Sequence, residues 1–166
     1  MIETPPDYIN WLSEFAFKEI SFGAGGLYLA PADHLTQFQV GYAFAPDGTT
    51  LCTGEAGAWQ QTWLAIGHDT CVGDPLILDC STKPFQVLTA MHGVGKWEPT
   101  IIACSLDGFR IGLEEIRKLS QNRENPVRLE RNPLLPAERS SALKRIEFAN
   151  PGVGMLFWQL QSQDFE

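Results

Sequence analysis

Three groupings in the 166-residue chain bring together side chains able to act on a substrate or hold an ion. His92-Gly93-Val94-Gly95-Lys96-Trp97 has the glycines and lysine of a phosphate-binding loop, yet departs from it at both ends. The first required glycine is Ala90, and Trp97 stands where a Ser or Thr would meet the cation. The spacing predicts a tight turn instead. His92 with Cys104 or Ser105 offers a base and a nucleophile, but no G-x-S-x-G elbow accompanies them. A hydrogen-bonded structural histidine is the expectation, and no catalytic residue is assigned. Asp69, Asp74 and Asp79 recur every five residues. Paired carboxylates do acid–base work when their surroundings split their pKa values, and aspartates in one loop also serve turns. Turn chemistry or an exposed acidic rim is the preferred reading. Asp47, Glu55, Asp69 and Asp74 form that rim, a docking surface for a basic partner on loops around a rigid sheet.

Cys52, Cys71, Cys80 and Cys104 contain no C-x-x-C and no zinc spacing. A zinc site from His68, Cys71 and Cys80 has the right donors and the wrong spacing. Cys80 and Cys104 each end an apolar run and read as buried small hydrophobes. No cofactor and no metal is implied. Trp59, Trp63, Trp97 and Trp158 read as core or core-edge residues. Trp97 follows a glycine loop, which leaves open a role as a partly exposed anchor for a partner.

These side chains need a scaffold, and the hydropathy pattern supplies one. Thr4-Pro5-Pro6-Asp7 predicts a helix start, with Thr4 as N-cap, Pro5 at the first position and Asp7 returning the capping bond. Tyr8, Trp11, Leu12 and Phe15 share one face, and the helix is expected to end near Lys18. Gly23 to Gly26 reads as a loop, Leu27 to Ala30 as a short strand, and Pro31-Ala32-Asp33 as another helix start with Leu35 and Phe38 inward. Pro46-Asp47-Gly48 is a turn between extended runs. Residues 62–68, 75–80 and 85–91 predict three consecutive strands in an antiparallel meander, the first apolar on both faces. Ser105 can cap a helix whose inward face is Phe109, Leu113, Ile116 and Leu119 or Ser120. Asn125-Pro126 and Asn132-Pro133 read as breaks in a polar connection. Pro136 opens what is read as the last helix, Asn150-Pro151-Gly152 stops it, and Met155 to Trp158 is an apolar segment that docks on the body.

Composition bounds the function class. Apolar residues are 44% and charged residues 19%, which excludes a disordered chain. No apolar run approaches the ~18 residues of a membrane span. Met1 to Asn10 has no basic cluster, so no leader is expected, and a cytoplasmic location follows as an expectation. Net charge is −8, unevenly spread: residues 1–109 hold three Lys or Arg and twelve Asp or Glu, while residues 110–147 hold nine and six. The acidic part would repel phosphate backbones and attract basic partners, so neither nucleic acid nor membrane is expected as a partner.

Several residues recur in a familiar order. Trp63-Leu64-Ala65-Ile66-Gly67, Gly73-Asp74-Pro75 through Asp79, Val87, His92-Gly93 with Trp97, and Ile102-Ala103-Cys104-Ser105-Leu106 with Phe109 resemble the SUKH (Smi/Knr-like) superfamily. That group includes the fungal cell-wall assembly regulator and many bacterial toxin-immunity proteins. Pro6-Asp7-Tyr8 with Leu12 is similar to its opening helix and Asp47-Gly48 to its first turn. The asparagine-glycine-glycine element usual after that helix is only partly replaced by Gly25-Gly26. The resemblance implies a single α+β domain over residues 1–166, a mostly antiparallel central sheet of about five or six strands with helices from both ends packed around it. It implies no catalysis, and binding of a cognate toxin domain of nuclease or deaminase type. Trp63, Gly73, Asp74, Asp79, His92, Trp97, Ser105 and Phe109 are family-like positions only. A regulatory module binding an endogenous protein is the alternative, and a small hydrolase using His92 and the aspartates a third reading.

Overall fold

A computed structural model describes residues 3–163. Met1 and Ile2, part of the segment read for a leader, and Asp164 and Glu166, which carry the tail's charge, lie outside the described residues. The chain opens with α1 (Pro6–Ser13) and a hairpin of β1 (Glu19–Phe22) and β2 (Gly25–Leu29). A 3-10 turn at Ala32–His34 runs into α2 (Leu35–Phe38), and β3 (Trp63–Asp69), β4 (Pro75–Asp79), β5 (Gln86–Thr89) and β6 (Thr100–Ala103) follow. The helices α3 (Leu106–Ser120), α4 (Pro126–Arg131), α5 (Pro136–Ala149) and α6 (Leu156–Gln161) complete the described chain. All six strands join one antiparallel sheet in sequence order, β1 to β6. The sheet curls into a half-barrel, and the molecule is a single α+β domain.

The two-sided reading of β3 holds. Leu64 and Ile66 enter a core shared with Leu76, Leu78, Val87 and Ile102 of the neighbouring strands. Helices cover that face with Tyr8, Trp11, Phe109, Leu113, Ile116 and Trp158. Trp63 and Ala65 point the other way, into a second cluster with Ile77, Leu88, Ala90, Ala43 and Trp59. Period-two alternation sorts the strand side chains between two cores. On β5, Val87 goes to the first and Leu88 to the second.

The ends of the elements differ from expectation in instructive ways. The N-cap of α1 is Pro5 rather than Thr4, with no side-chain cap, and Asp7 faces Lys83 instead of closing a capping box. The helix ends at Ser13 rather than near Lys18, because the Lys18 ammonium folds back and donates to the carbonyls of Leu12 (3.0 Å) and Phe15 (3.2 Å). The chain so released forms β1, unforeseen from periodicity. Gly25 and Gly26 belong to β2 rather than a loop. A Cβ on Gly26 would lie 1.8 Å from the Ile20 carbonyl oxygen, so only glycine allows this approach of β1. The connection at residues 125–132 contains α4. Asn125 Oδ1 accepts the Arg128 N–H (2.9 Å) and Pro126 occupies the first helical position, so the pair read as a break is a start signal. The helix opened by Pro136 is not the last: the apolar segment near the C-terminus winds into α6.

The β6 edge is closed by side chains. Trp158 Nε1 donates to the Ile102 carbonyl (2.7 Å), and Asn150 Oδ1 accepts the Cys104 N–H (3.1 Å). Exposed strand edges invite pairing with other chains, and these two residues occupy the groups that would do so. Gly112 makes room: a Cβ there would lie 2.3 Å from the Trp158 ring.

Candidate functional site

The face of the sheet away from the helices is covered by residues 39–62, a run without helix or strand apart from isolated bridges at Val40, Phe44 and Thr50. A side chain pins it. β2 stops pairing with β3 at Leu29 and Gly67, which leaves the Ala65 backbone without a strand on the side away from β4. Gln39 takes the place of that strand. Its Nε2 donates to the Ala65 carbonyl (2.8 Å) and to Leu35 (2.9 Å), while its Oε1 accepts the Ala65 N–H (2.9 Å). Gln39 is 2% exposed, and its buried amide is fully engaged, as a buried polar group requires. Nearby, Trp59 Nε1 donates to the Trp63 carbonyl (3.1 Å).

Aromatic rings carry the rest of the cover. Trp59 meets Trp63, Trp97 and Tyr42 with centroid separations of 5.6, 5.3 and 5.1 Å. Phe38 joins Tyr42 to His68, and His68 packs on Tyr28. Trp97 is half-buried, and its backbone N–H donates to Gly57 (2.7 Å), so it is a core-edge residue with one accessible side.

Next to this cover lies a carboxylate–imidazole pair. Asp74 Oδ1 accepts both the backbone N–H of His92 (2.9 Å) and a hydrogen bond from its ring Nδ1 (2.8 Å). The hairpin explains the meeting: Leu76 pairs with Thr89, and the same register two residues on sets Asp74 opposite Met91, beside His92. Gly73, at φ +83°, lies under the His92 ring. Tyr42 lies near enough that burial, reinforced by the Asp74 charge, pushes its phenol pKa up. Neither nucleophile joins His92. Ser105 Oγ accepts the Gly108 N–H (3.0 Å) as the cap of α3, and Cys104 Sγ lies 3.7 Å from the Ala149 carbonyl.

The four rim carboxylates occupy different surroundings. Asp47 is exposed at a turn, and the Thr49 N–H and hydroxyl hold its carboxyl below the usual carboxylate range. Glu55 is exposed, and its carboxylate has no partner among the described residues. Asp69 does not belong to an exposed rim. It is 8% exposed, and its carboxylate accepts N–H groups of Cys71 (2.6 Å) and Val72 (3.0 Å) and the Gln161 amide. It ties the β3–β4 turn to α6. Asp74 is half-buried, with one oxygen engaged by His92. Asp79 accepts the Ser81 N–H (2.9 Å), the turn chemistry anticipated for this series.

The remaining family-like positions serve the framework. Trp63 is in the second core, Ser105 caps α3, and Phe109 packs between Trp11 and Trp158. His68, Cys71 and Cys80 do not form a donor set: His68 sits in the aromatic row, Cys71 is exposed beside Gly25, and Cys80 is in the turn that follows β4. Burial, helped by Asp79, pushes the Cys80 thiol up to about 11, so it stays protonated at neutral pH. Among the described residues no group of three or more His, Cys, Asp or Glu could hold a metal ion.

Charge separates the two faces further. Between Lys18 and Lys83 there is no Lys or Arg, while Glu19, Asp33, Asp47, Glu55, Asp69, Asp74 and Asp79 fall in that stretch. The loop cover, residues 39–62, lies wholly inside this gap and holds no Lys or Arg. In the basic segment the cations are mostly occupied. Arg110 pairs with Glu14 (2.6 Å), Arg128 with Glu124 (2.8 Å), and Lys118 and Arg145 both with Glu115 (2.7 Å each). Arg123, 7% exposed, donates to the carbonyls of Leu119 and Asn132. No helix among the described residues is long and apolar enough to cross a membrane. Comparison with protein-family models, with curated proteins and with solved structures found no match.

Proposed function

We propose that this chain is a non-enzymatic, cytoplasmic protein-binding domain of SUKH type, an immunity protein that binds and neutralises a toxin domain of nuclease or deaminase type. The observation that carries the reading is the loop cover laid over a rigid sheet, residues 39–62, which hold no Lys or Arg and expose Asp47 and Glu55. Enzymes that act on phosphate backbones are basic around their sites. An acidic face steers such a partner in and blocks its approach to nucleic acid. The family-like residues support the reading through their order along one meander, from Trp63 in β3 to Phe109 in α3.

Co-expression with each toxin candidate encoded beside the gene tests it. The expected result is restored growth with one of them and a co-purifying complex whose affinity falls as salt rises. Absence of rescue and of complex for every candidate would sink the proposal. So would turnover of a small substrate by the purified protein that is lost in His92→Ala, because Asp74–His92 is the arrangement a hydrolase would use.

A further inference from the structure

We propose that the hollow bounded by the 90–98 segment and Asp74 is a receptor for one cationic side chain of the partner protein, arginine in preference to lysine. This deepens the reading above and rests on it for the identity of the partner. The hollow has a volume of about 290 Å³, with Asp74, Ala90, Met91, Val94, Lys96 and Glu98 among its lining. Its wall is apolar and open: Met91 and Val94 are 65% and 52% exposed. Gly93 and Gly95 take positive φ, and nothing lies within 4 Å of where a Cβ on either would be, so the turn leaves the mouth clear.

The polar end is fixed in place. Both hydrogen bonds from His92 go to Asp74 Oδ1, and Oδ2 accepts none among the described residues. One oxygen anchors the carboxylate, the other keeps its acceptor capacity, and Asp74 lines the hollow. Lys96, the cation in the lining, is neutralised by Glu98, whose Oε1 it engages and whose Oε2 accepts no hydrogen bond among the described residues. An arginine has the matching anatomy. Its methylene stem covers apolar surface, and its planar guanidinium presents five donors to carboxylates. A carboxylate already held by two bonds loses little freedom when it binds, which favours affinity.

Titrating N-acetyl-argininamide into the ¹⁵N-labelled full chain, read by amide chemical shifts, tests the receptor directly. Saturable shifts are expected at residue 74 and residues 89–100, with affinity on the order of millimolar for so small a probe. N-acetyl-norleucinamide, with a similar stem and no charge, is expected to give none. Asp74→Asn keeps the Oδ1 acceptor for His92 and removes the charge, so the fold is retained and binding is expected to weaken about tenfold. Shifts scattered over the acidic face, or equal affinity in Asp74→Asn, overturn the proposal. The two readings fail separately. A toxin complex indifferent to Asp74→Asn, with no argininamide binding in the hollow, removes the receptor and leaves the immunity role. Argininamide binding in the hollow with no toxin partner supports the receptor and removes the role.

Discussion

The two faces of the sheet are built by different physics. The helix-covered face buries regular apolar stripes, with a few polar contacts among them such as the Ser105 cap and the Trp158 and Asn150 bonds to β6. The loop-covered face has only the one-turn helix α2, through Phe38, as a regular element against it. It is held by edge-on and tilted aromatic rings and by the amide of Gln39 standing in for a missing strand. The first arrangement specifies the fold. The second leaves backbone free to shape a surface, and it exposes Asp47 and Glu55 there. Regions of few buried apolar contacts open most easily, and binding loops are drawn from them. The helix face should therefore control global stability and the loop face local opening.

The largest effect belongs to the helix face. Trp158 is fully buried, packs on Gly112 and Phe109, and donates to Ile102. Trp158→Ala is expected to destabilise the whole domain by about 3–5 kcal/mol. Urea denaturation followed by far-UV circular dichroism reads this as one cooperative transition at lower midpoint. A loss under about 1 kcal/mol would mean that α6 is an ornament rather than part of the core, below the usual cost of such a truncation.

Gln39 tests the other face. Gln39→Leu keeps the bulk and strands the Ala65 N–H and carbonyl inside the protein, at about 1–3 kcal/mol for each buried group left unpaired. The expected result is a local one. Hydrogen exchange should speed up across residues 40–61, while amides of α3 and β4 keep their protection. Uniform loss of protection would erase the distinction between the faces.

The same contrast explains what could be read in advance. The meander, the double-faced β3, the Ser105 cap and the inward stripe of α3 follow from period-two and period-3.6 patterns that long apolar segments print clearly. β1 escaped because four residues, Glu19 to Phe22, make a pattern too short to stand alone, and its partner strand begins with two glycines. The role of Gln39 escaped for another reason: a glutamine amide replacing a strand leaves no periodic trace. Asp69 and Asp74 look alike in sequence, five residues apart in one loop. Three hydrogen bonds bury one of them, and hairpin register delivers His92 to the other. The hairpin arithmetic was available once the strands were known, whereas the burial of Asp69 needed α6, which pattern alone did not reveal as a helix.

A charged tie within the helix face gives a smaller, pH-dependent effect. Glu115 on α3 is 4% exposed and meets Lys118 and Arg145, the latter from α5. Burial alone would raise its carboxyl pKa; the hydrogen bonds and charges of Arg145 and Lys118 outweigh that and hold it below the usual carboxylate range. A group whose pKa is lower folded than unfolded adds stability above the unfolded value and loses it as pH falls through the folded one. Glu115→Gln should therefore cost about 1–2 kcal/mol at neutral pH, discounted because both cations reach solvent. Thermal midpoints of the two proteins should converge on acidification through the carboxylate range. A gap that widens in acid would reverse the sign and remove the ion pairs as its cause.

The smallest expected effect on folding comes from the carboxylates best placed to meet a partner. Asp47 and Glu55 are exposed and make no ion pair among the described residues. The double variant Asp47→Lys, Glu55→Lys should leave stability within about 0.5 kcal/mol, the usual range for surface changes, because only the Asp47 turn bond is lost. It adds four positive charge units to the acidic face, so association with a basic toxin domain should slow by about tenfold at low salt, with dissociation much less affected. Stopped-flow association at two ionic strengths separates the outcomes. Slower association that recovers as salt screens the new lysines places the partner on the loop face, whereas an unchanged rate would move the interface to the helices and leave the loop face as a cover alone.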